Sequence, residues 1–355
     1  MASAVLITGF PNAASRVLVR RLLADEAFLD PLFLFVSPAA YEQARQFASD
    51  LAADVPSRVV LIEGNVSAID LGLGRDDYRS LAKRVNIIHH TNSANSSDLD
   101  PDLAEEINVG GAREIIELSR AASDLSRLVF YSSAFVCGDR TGVILESELQ
   151  AGQGFRSASE RTLATAERMV WNSFERLAVT VVRPSLLACD SQTGEIDAHG
   201  PFAQLAPFLA ELPQEWLGGA SAVSVNLVPL DFLVKASIYL GHLPGAVGKV
   251  FHITDPKPPT VGQVADSFAS SDRHPEQESA LFRRVSQALR RAPAALSRAP
   301  RALIHMLGMD VHLDTTQAQL ALAGSGIQCP SFGDYAPLLV KSVRHCATPA
   351  AEIEG

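Results

Sequence analysis

The sequence predicts an α/β fold: a doubly wound parallel sheet with a smaller, mostly helical lobe toward the C-terminus. Short apolar runs, typical of buried parallel strands, alternate with segments of helical periodicity. In addition, 47% of the residues are hydrophobic, which is enough for a large core. The predicted strands are 4–8, 32–36, 57–63, 85–90, 127–132 and 179–183, and the predicted helices include 16–24, 101–124 and 155–170.

Composition and charge exclude several classes of protein. A formal net charge of −10 argues against a general affinity for nucleic acid or for an anionic membrane. No apolar run approaches the roughly 20 residues that span a bilayer, and the chain enters a strand at once, without a secretory leader. We therefore expect a cytoplasmic monomer or homodimer. The cysteines have neither metal nor disulfide spacing, so no metal site is expected; they are Cys137, Cys189, Cys329 and Cys346.

Short motifs stand at the ends of the predicted strands. They are Thr8–Ser15 (TGFPNAAS), Asn108–Gly111 (NVGG), Ser132–Gly138 (SSAFVCG), Pro184–Leu187 (PSLL) and Val250–Asp255 (VFHITD). In this order they resemble the motifs of the extended short-chain dehydrogenase/reductases, over roughly residues 4–268. The resemblance implies a Rossmann-like fold, a nicotinamide dinucleotide cofactor and an oxidoreductase activity.

The first motif departs from the family pattern T-G-x-x-G-x-x-G at two glycines. Thr8 and Gly9 are kept, whereas Asn12 and Ser15 occupy the second and third glycine positions. Asn tolerates positive φ better than most residues, so we expect Asn12 to make the turn. A strand–turn–helix of this kind surrounds an anionic group with the free N–H donors of the helix N-terminus.

The end of the second predicted strand favours NADP over NAD. An acidic residue there would bind the ribose hydroxyls of NAD, but this strand ends in Ser37, with Arg16 and Arg45 as nearby cations. A solvated helix residue is the alternative interpretation of Arg16. The resemblance implies this cofactor-binding set: Thr8, Gly9, Phe10, Pro11, Asn12, Ser15, Arg16, Ser37, Asn65, Val66, Thr91, Asn92, Ser93, Ser132, Pro184, Ser185, Leu186 and Leu187.

The predicted helix at 155–170 keeps its place in the family pattern but loses the usual chemistry. Ser157 or Ser159 is the candidate N-cap, and Glu160 completes a capping box with Ser157. The family pattern F-x-N-x-Y-E-x-T-K has a Tyr as proton donor and a Lys that lowers the pKa of that Tyr. Here those positions are Ser159 and Leu163. A serine hydroxyl is too weak an acid to replace the Tyr, so Ser133 is the one member of the family's Ser–Tyr–Lys set that survives.

Three functions are compatible with this loss. The first is an NADPH-dependent ketoreductase whose substrate supplies the proton, as a polycyclic aromatic ketone with a neighbouring phenol does. Extended reductases without Tyr and Lys that act on angucyclinone-type polyketides in antibiotic biosynthesis resemble this chain. The second is an inactive NADP-binding sensor or scaffold, and the third moves the donor to Tyr131, Tyr239 or His199. We prefer the ketoreductase because Ser133 and Pro184–Leu187 are intact at the nicotinamide end.

The predicted substrate pocket is apolar. Phe135, Leu186 and Phe202 are suited to stack on a polycyclic aromatic, with Ser133 or Ser159 orienting a hydroxyl. We expect an NADP-binding domain from 1–188 and 224–254, a substrate-binding lobe from 189–223 and 255–346, and a flexible tail at 347–355. The Arg-rich segment 283–301 is interpreted as a solvated helical face, with a phosphate or carrier-protein contact as the alternative.

Overall fold

A seven-stranded parallel sheet forms the centre of the protein. The computed structural model describes residues 4–26, 30–51, 56–95, 99–197, 200–203, 223–269 and 311–347. The strands of the sheet are β1 (Ala4–Thr8), β2 (Leu32–Val36), β3 (Val59–Glu63), β4 (Val85–His90), β5 (Arg127–Tyr131), β7 (Val179–Pro184) and β10 (Lys249–Ile253). Their order is β10-β7-β5-β4-β1-β2-β3, which confirms the predicted fold class. The order reverses between β1 and β4, and ligands of such sheets bind at the carboxyl ends of the strands near this point.

Ten α-helices lie in the described part of the chain. They are α1 (Ala13–Leu23), α2 (Tyr41–Leu51), α3 (Arg75–Arg84), α4 (Pro101–Glu105), α5 (Gly111–Ala121), α6 (Ala158–Trp171), α7 (Leu230–His242), α8 (Val261–Ala269), α9 (Thr316–Leu322) and α10 (Phe332–Ala347). None of these described helices combines the length and apolar character needed to cross a bilayer.

The predicted helix at 101–124 is in fact interrupted. A π-helical turn, Glu106–Gly110, separates α4 from α5. Such single turns occur often at functional sites. Here the turn places the buried side chain of Asn108 beneath the loop that follows β4.

The two faces of the sheet bury separate hydrophobic cores. One core packs Ile115 of α5 and Val170 of α6 against the sheet, and the other packs Leu18 of α1 and Val234 of α7. A further core lies between α8 and α10, in the region of the predicted substrate-binding lobe. The domain boundaries remain a prediction, because 198–199, 204–222, 270–310 and 348–355 lie outside the described residues.

Two short strand pairs extend the fold beyond the main sheet. β6 (Gly142–Ile144) pairs in parallel with β11 (Val311–Leu313), and β8 (Leu186–Leu187) pairs with β9 (Leu227–Val228). Glu146 follows β6, and its buried carboxylate accepts backbone N–H groups from His252 at 2.8 Å, Gln317 at 2.6 Å and Ala318 at 3.1 Å. Burial raises the pKa of Glu146 to about 7.

Three histidines of the described residues are buried as neutral groups. His89 and His90 are neighbours on β4, so their side chains point to opposite faces and form no shared site. The structure confirms this, because His89 lies 3.2 Å from Tyr131 Oη and His90 lies 2.9 Å from Thr8 Oγ1. His252 lies on β10. Burial lowers the pKa of each of the three to about 3.

We expect the free energy of unfolding to fall as the pH decreases from 6.5 toward 5. Each histidine has a pKa of about 3 when folded and 6.5 when unfolded, so the unfolded state binds more protons in this range. Each contributes up to about 1.4 kcal/mol per pH unit. Glu146 has a raised pKa in the folded state, so its effect on the slope has the opposite sign and offsets the contribution of about one histidine. Urea unfolding across this pH range measures the slope, and a flat profile would contradict the expectation.

Candidate cofactor and active site

A cavity of about 650 Å³ opens at the carboxyl ends of β1, β4, β5 and β7. This is the crevice that the reversal of strand order predicts as the ligand site. The first turns of α1 and α6 also contribute to its wall. The residues predicted from sequence that line it are Pro11, Asn12, Arg16, Thr91, Ser93, Ser132, Ser133, Phe135, Ser159, Leu163, Pro184, Ser185, Leu186 and Leu187.

In the turn between β1 and α1, Gly9 has a positive φ and Asn12 does not. Gly9 has φ +81°, and a Cβ there would lie 2.8 Å from the backbone N of Asn92. Asn12 has φ −63° and ψ 164°, so the expectation that it supplies a positive φ is wrong. Asn12 is instead the N-cap of α1, because its Oδ1 accepts the N–H of Ser15 at 2.8 Å.

Asn12 also joins this turn to the loop that follows β4. Its Nδ2 donates to the carbonyl oxygen of Thr91 at 3.0 Å. Thr91 Oγ1 in turn donates to the carbonyl oxygen of Thr8 at 2.6 Å. A glycine at position 12 makes no side-chain hydrogen bond, so the asparagine adds a direct tie between two segments of the cavity wall.

The N-terminus of α1 keeps donors for an anionic group. Asn12 accepts the amides of Ser15 and Arg16, so the amides of Ala13 and Ala14 are the remaining first-turn donors. Both alanines line the cavity. With the positive end of the helix dipole, this arrangement fits a dinucleotide pyrophosphate, although two motif glycines are replaced.

Arg16 is engaged in an ion pair inside the protein. Its Nε lies 2.7 Å from Glu195 Oε1, and Arg20 Nη2 lies 2.9 Å from Glu195 Oε2. The guanidinium carbon of Arg16 lies 4.7 Å from the centre of the Phe47 ring. Glu195 therefore pairs with the cation that the sequence assigns to a 2′-phosphate, and shares its carboxylate with Arg20.

The structure places several predicted cofactor residues outside the cavity wall. Ser37 is exposed after β2, and Asn65 is exposed with its Oδ1 accepting the N–H of Ser67 at 3.1 Å. Val66 and Phe10 are buried in the two cores of the sheet. Their cofactor contacts remain predictions.

Four other predicted cofactor residues lie outside the cavity wall but form contacts within the β1–α1 turn. They are Thr8, Gly9, Ser15 and Asn92.

The start of α6 forms one side of the cavity. Ser157 Oγ accepts the N–H of Glu160 at 3.2 Å, so Ser157 and not Ser159 is the N-cap. Ser159 and Leu163 line the cavity, where the family pattern has its Tyr and Lys. Leu163 is buried and packs with Val136 in a small cluster of apolar side chains. The cavity therefore has an apolar group at the position of the usual cation.

A buried carboxylate also lines this side of the cavity. The sequence identifies Glu160 only as part of a capping box with Ser157. In the structure Glu160 Oε2 accepts the N–H of Arg156, the residue before this N-cap, at 2.8 Å. Glu160 is also part of the cavity wall. Burial raises its pKa above the ordinary value.

The two serines at the end of β5 have different environments. Ser133 Oγ accepts the N–H of Phe135 at 3.2 Å, and no acceptor for its own proton is found within the described residues. Ser132 donates its hydroxyl proton to Glu167 Oε2 at 2.5 Å. The Ser132 side chain is thus directed beneath the cavity, which leaves its backbone for the predicted cofactor contact.

A fully buried ion pair lies under the cavity floor. Arg183 Nη2 donates to Glu167 Oε1 at 2.6 Å, and Arg183 Nε donates to Glu167 Oε2 at 3.1 Å. The Arg183 side chain is 1% exposed and the Glu167 side chain is 0% exposed. Trp171 Nε1 also donates to Glu167 Oε1 at 3.0 Å. Arg183 Nη1 lies 3.2 Å from His252 Nε2, and His252 Nδ1 donates to the Asp314 carbonyl at 2.7 Å. These bonds connect α6 through β7 and β10 to the segment that precedes α9.

Asn108 connects the loop after β4 to α6. Its Oδ1 accepts the N–H of Ala94 at 2.7 Å, and its Nδ2 donates to the Ala94 carbonyl at 3.2 Å. The same Nδ2 donates to Thr162 Oγ1 at 2.9 Å. The loop that lines the cavity is therefore fixed directly to the helix on its other side.

The predicted aromatic wall is only partly formed. Phe135 and Leu186 line the cavity, but Phe202 does not. Phe202 is 1% exposed and belongs to the core formed with α8 and α10, so its predicted substrate role is corrected. Its neighbour Pro201 is the residue that reaches the cavity.

The structure gives no support for a relocated tyrosine donor. Tyr131 lines the cavity, but burial raises its pKa, which makes it a weaker acid, and its hydroxyl lies 3.2 Å from His89 Nδ1. Tyr239 packs against the core around α7 and is not part of the wall. His199 lies outside the described residues.

Other wall residues carry no local sequence signal. They come from helix faces and loops that only the tertiary fold brings together. They are Gln43, Asn95, Leu99, Ile107, Ile196, Asp197, Pro201 and Leu233.

A family model described as Male sterility protein, an NAD-binding family, matches residues 7–237. The match covers more than half of the chain, so the chain belongs to this family of extended short-chain dehydrogenase/reductase type. The membership confirms the predicted nicotinamide dinucleotide-binding fold.

Curated relatives are distant and longer. Glycine betaine reductase ATRR of Emericella nidulans is 26% identical over 277 residues, which is 72% of this chain and 21% of that protein. Fatty acyl-CoA reductase wat of Drosophila melanogaster is 25% identical over 211 residues, or 50% of this chain and 40% of the relative. The chain thus spans less than half the length of these relatives.

Solved structures of similar fold include reductase domains of biosynthetic assembly lines. The terminal R domain of the myxalamid PKS-NRPS pathway has a TM-score of 0.79 at 19% identity, covering 98% of this chain and 91% of that one. A thiolation-reductase di-domain of an archaeal non-ribosomal peptide synthetase has a TM-score of 0.76 at 15% identity, covering 97% and 76%. At these identities the likeness shows the fold alone.

Proposed function

We propose that the chain is an NADPH-dependent reductase that converts an acyl thioester to an aldehyde. The names of its relatives support the substrate class, because they include fatty acyl-CoA reductases. The observation that carries the proposal is the composition of the cavity. Ser133 remains as a hydroxyl donor, whereas Ser159 and Leu163 stand where the family pattern has a Tyr and a Lys.

Thioester reduction demands less from a proton donor than ketone reduction does. NADPH supplies the hydride in both reactions. A reduced ketone is an alkoxide that must gain a proton. A reduced thioester is a tetrahedral oxyanion that re-forms its C=O bond and expels a thiolate. A thiol has a pKa of about 8.5, so the thiolate leaves without a proton donor and takes its proton from solvent.

The overall equation is RCO–SR′ + NADPH + H⁺ → RCHO + R′SH + NADP⁺. Ser133 donates its hydrogen bond to the carbonyl oxygen as negative charge builds there. The apolar side chains of Phe135, Leu163 and Leu186 exclude water from this end of the cavity. The amides of Ala13 and Ala14 bind the pyrophosphate of the cofactor.

A second candidate is the reduction of a polycyclic aromatic ketone of the angucyclinone type. The apolar wall of Phe135, Leu163 and Leu186 favours it, because aromatic rings pack well on such side chains. A phenol next to the ketone would supply the proton, so no protein acid is needed. This reaction depends less on Ser133 than thioester reduction does.

The test measures the products as well as the cofactor. Octanoyl-CoA is added to the purified protein with NADPH. The amount of NADPH oxidised, measured from the loss of reduced-nicotinamide absorbance, is compared with the amounts of free thiol and of trapped aldehyde formed. Equal amounts of oxidised cofactor, thiol and aldehyde are expected. A hydroxyanthraquinone ketone serves as the second substrate.

Each alternative predicts a different result. Oxidation of NADPH by the ketone but not by octanoyl-CoA would replace the thioester proposal with the ketoreductase. Tight NADPH binding without oxidation by either substrate would favour the inactive sensor. An absence of NADPH binding would remove both candidate reactions.

We expect Glu195→Gln to strengthen NADPH binding by about tenfold while leaving NADH binding nearly unchanged. The substitution removes the carboxylate that Arg16 and Arg20 share, which leaves the Arg16 guanidinium available to a 2′-phosphate, and a charge-assisted hydrogen bond contributes about 1.5–3 kcal/mol. Fluorescence titration with both cofactors measures the effect, with the exposed Glu117→Gln as control. Equal shifts for NADPH and NADH would show that Arg16 does not bind the 2′-phosphate.

A further inference from the structure

A short hairpin at 189–197 contacts α1 next to the cofactor cavity. Its two arms form an antiparallel bridge, and the Asp190 N–H donates to the Glu195 carbonyl at 2.7 Å. The Gly194 N–H closes the turn by donating to the Asp190 carbonyl at 2.9 Å. These local bonds make the hairpin one structural unit, so the position of Glu195 depends on where the hairpin is held.

Two helices of the described chain hold this hairpin from outside the cofactor cavity. Ser342 of α10 donates its hydroxyl to the Gly194 carbonyl at 2.6 Å. A Cβ at Gly194, which has φ +76°, would lie 2.8 Å from Ser342 Oγ, so the glycine permits this close approach. Asp231 of α7 accepts the Ser191 N–H at 2.9 Å and the Ser191 hydroxyl at 3.0 Å. None of these four residues lines the cofactor cavity.

The hairpin presents a carboxylate to two cations of α1. Glu195 Oε1 lies 2.7 Å from Arg16 Nε, and Glu195 Oε2 lies 2.9 Å from Arg20 Nη2. Arg16 lines the cofactor cavity, whereas Glu195 and Arg20 do not. At the α7 anchor, Asp231 is itself paired with Lys235 at 2.9 Å. The cavity cation is thus already engaged by an anion of the protein.

A carboxylate held by its own chain competes for a cation better than a free anion does, because it is present at a high effective concentration. That concentration falls when the segment that carries the carboxylate becomes more mobile. The anchors at Ser342 and Ser191 therefore affect how strongly Glu195 holds Arg16. Arg20 is a second partner, so Glu195 stays paired when a phosphate binds Arg16.

We propose that the 189–197 hairpin sets the cofactor preference, because it holds Glu195 as a tethered competitor of the 2′-phosphate for Arg16. Ser342 and Ser191 are then positioning residues that act through Glu195. NADH has no 2′-phosphate and does not compete with Glu195. The proposal rests on the cofactor of the proposed function and is independent of the substrate that is reduced.

The test measures the binding of NADPH and NADH to the full chain by fluorescence titration, without a substrate. Ser342→Ala is expected to lower the Kd for NADPH about threefold to fivefold, the effect of one neutral hydrogen bond, and to leave the Kd for NADH unchanged. Ser191→Ala removes the other hydroxyl anchor and is expected to have the same effect. Ser267→Ala, which removes a bond to Gln263 within α8, is the matched control and is expected to change neither Kd.

A double-variant cycle separates the tether from a general loosening of the protein. Once Glu195→Gln has removed the competing carboxylate, adding Ser342→Ala is expected to change the Kd for NADPH by less than about 1.5-fold. Asp197 also lines the cavity, but it is unchanged in every variant, so its charge cancels from these comparisons.

Three results would overturn the proposal while leaving the proposed function in place. They are an unchanged Kd for NADPH in both serine variants, equal shifts for NADPH and NADH, and a full effect of Ser342→Ala in the Glu195→Gln background. Failure of every form to bind either nucleotide would overturn the proposed function together with this proposal.

Discussion

Ser133→Ala is expected to lower kcat for thioester reduction by about a hundredfold to a thousandfold, which is the effect of removing one oxyanion donor. Ser133 Oγ already accepts the Phe135 N–H, so its orientation is fixed and its own proton is available to the substrate oxygen. The Kd for NADPH is expected to remain unchanged. Stopped-flow measurement of the reduced-nicotinamide band gives kcat, and fluorescence titration gives the Kd.

Ser133→Thr is the matched control, because it keeps a hydroxyl at the same position. This variant is expected to retain most of the activity that Ser133→Ala loses. If Ser133→Ala kept near-normal turnover, the substrate oxygen would receive its hydrogen bond elsewhere, and a substrate that supplies its own proton would be the better explanation.

Arg183→Met is expected to lower the free energy of unfolding by about 3–5 kcal/mol, because it leaves the Glu167 carboxylate buried without its cation. Both side chains are almost completely buried. The donors that remain, Trp171 and Ser132, are uncharged and compensate only part of the loss. Urea unfolding of the wild-type and variant proteins measures the difference.

Two further variants test whether the loss of stability in Arg183→Met is caused by the unpaired buried charge. Arg120→Met removes an exposed ion pair with Glu117, whose side chains are 44% and 52% exposed, and is expected to cost at most about 1 kcal/mol. The double variant Arg183→Met with Glu167→Leu removes both buried charges and is expected to be more stable than Arg183→Met alone. A double variant that is less stable than the single one would show that packing, and not the unpaired charge, causes the loss.

The sequence was sufficient to predict the sheet and the position of the cavity. Strand and helix periodicity are local properties, and the βα order determines which strand ends meet. The N-cap at Ser157 was likewise one of two local possibilities. The role of Asn12 was predicted wrongly, because its preference for turns does not distinguish a positive φ from an N-cap with extended backbone.

Contacts between distant residues could not be predicted in this way. Arg16 and Glu195 are separated by 179 positions, and neither neighbourhood contains a signal of the other. Phe202 has the residue type of an aromatic wall, but hydrophobicity alone does not tell a ligand-facing side chain from one in a core.

The pairing of β6 with β11 has a consequence for the order in which the nascent chain folds. Glu146 receives two of its three backbone donors from Gln317 and Ala318, which leave the ribosome long after the main sheet is complete. Until then this carboxylate lacks those two donors. The main sheet and the described residues that line the cofactor cavity can therefore come together during translation, before β6 pairs with β11.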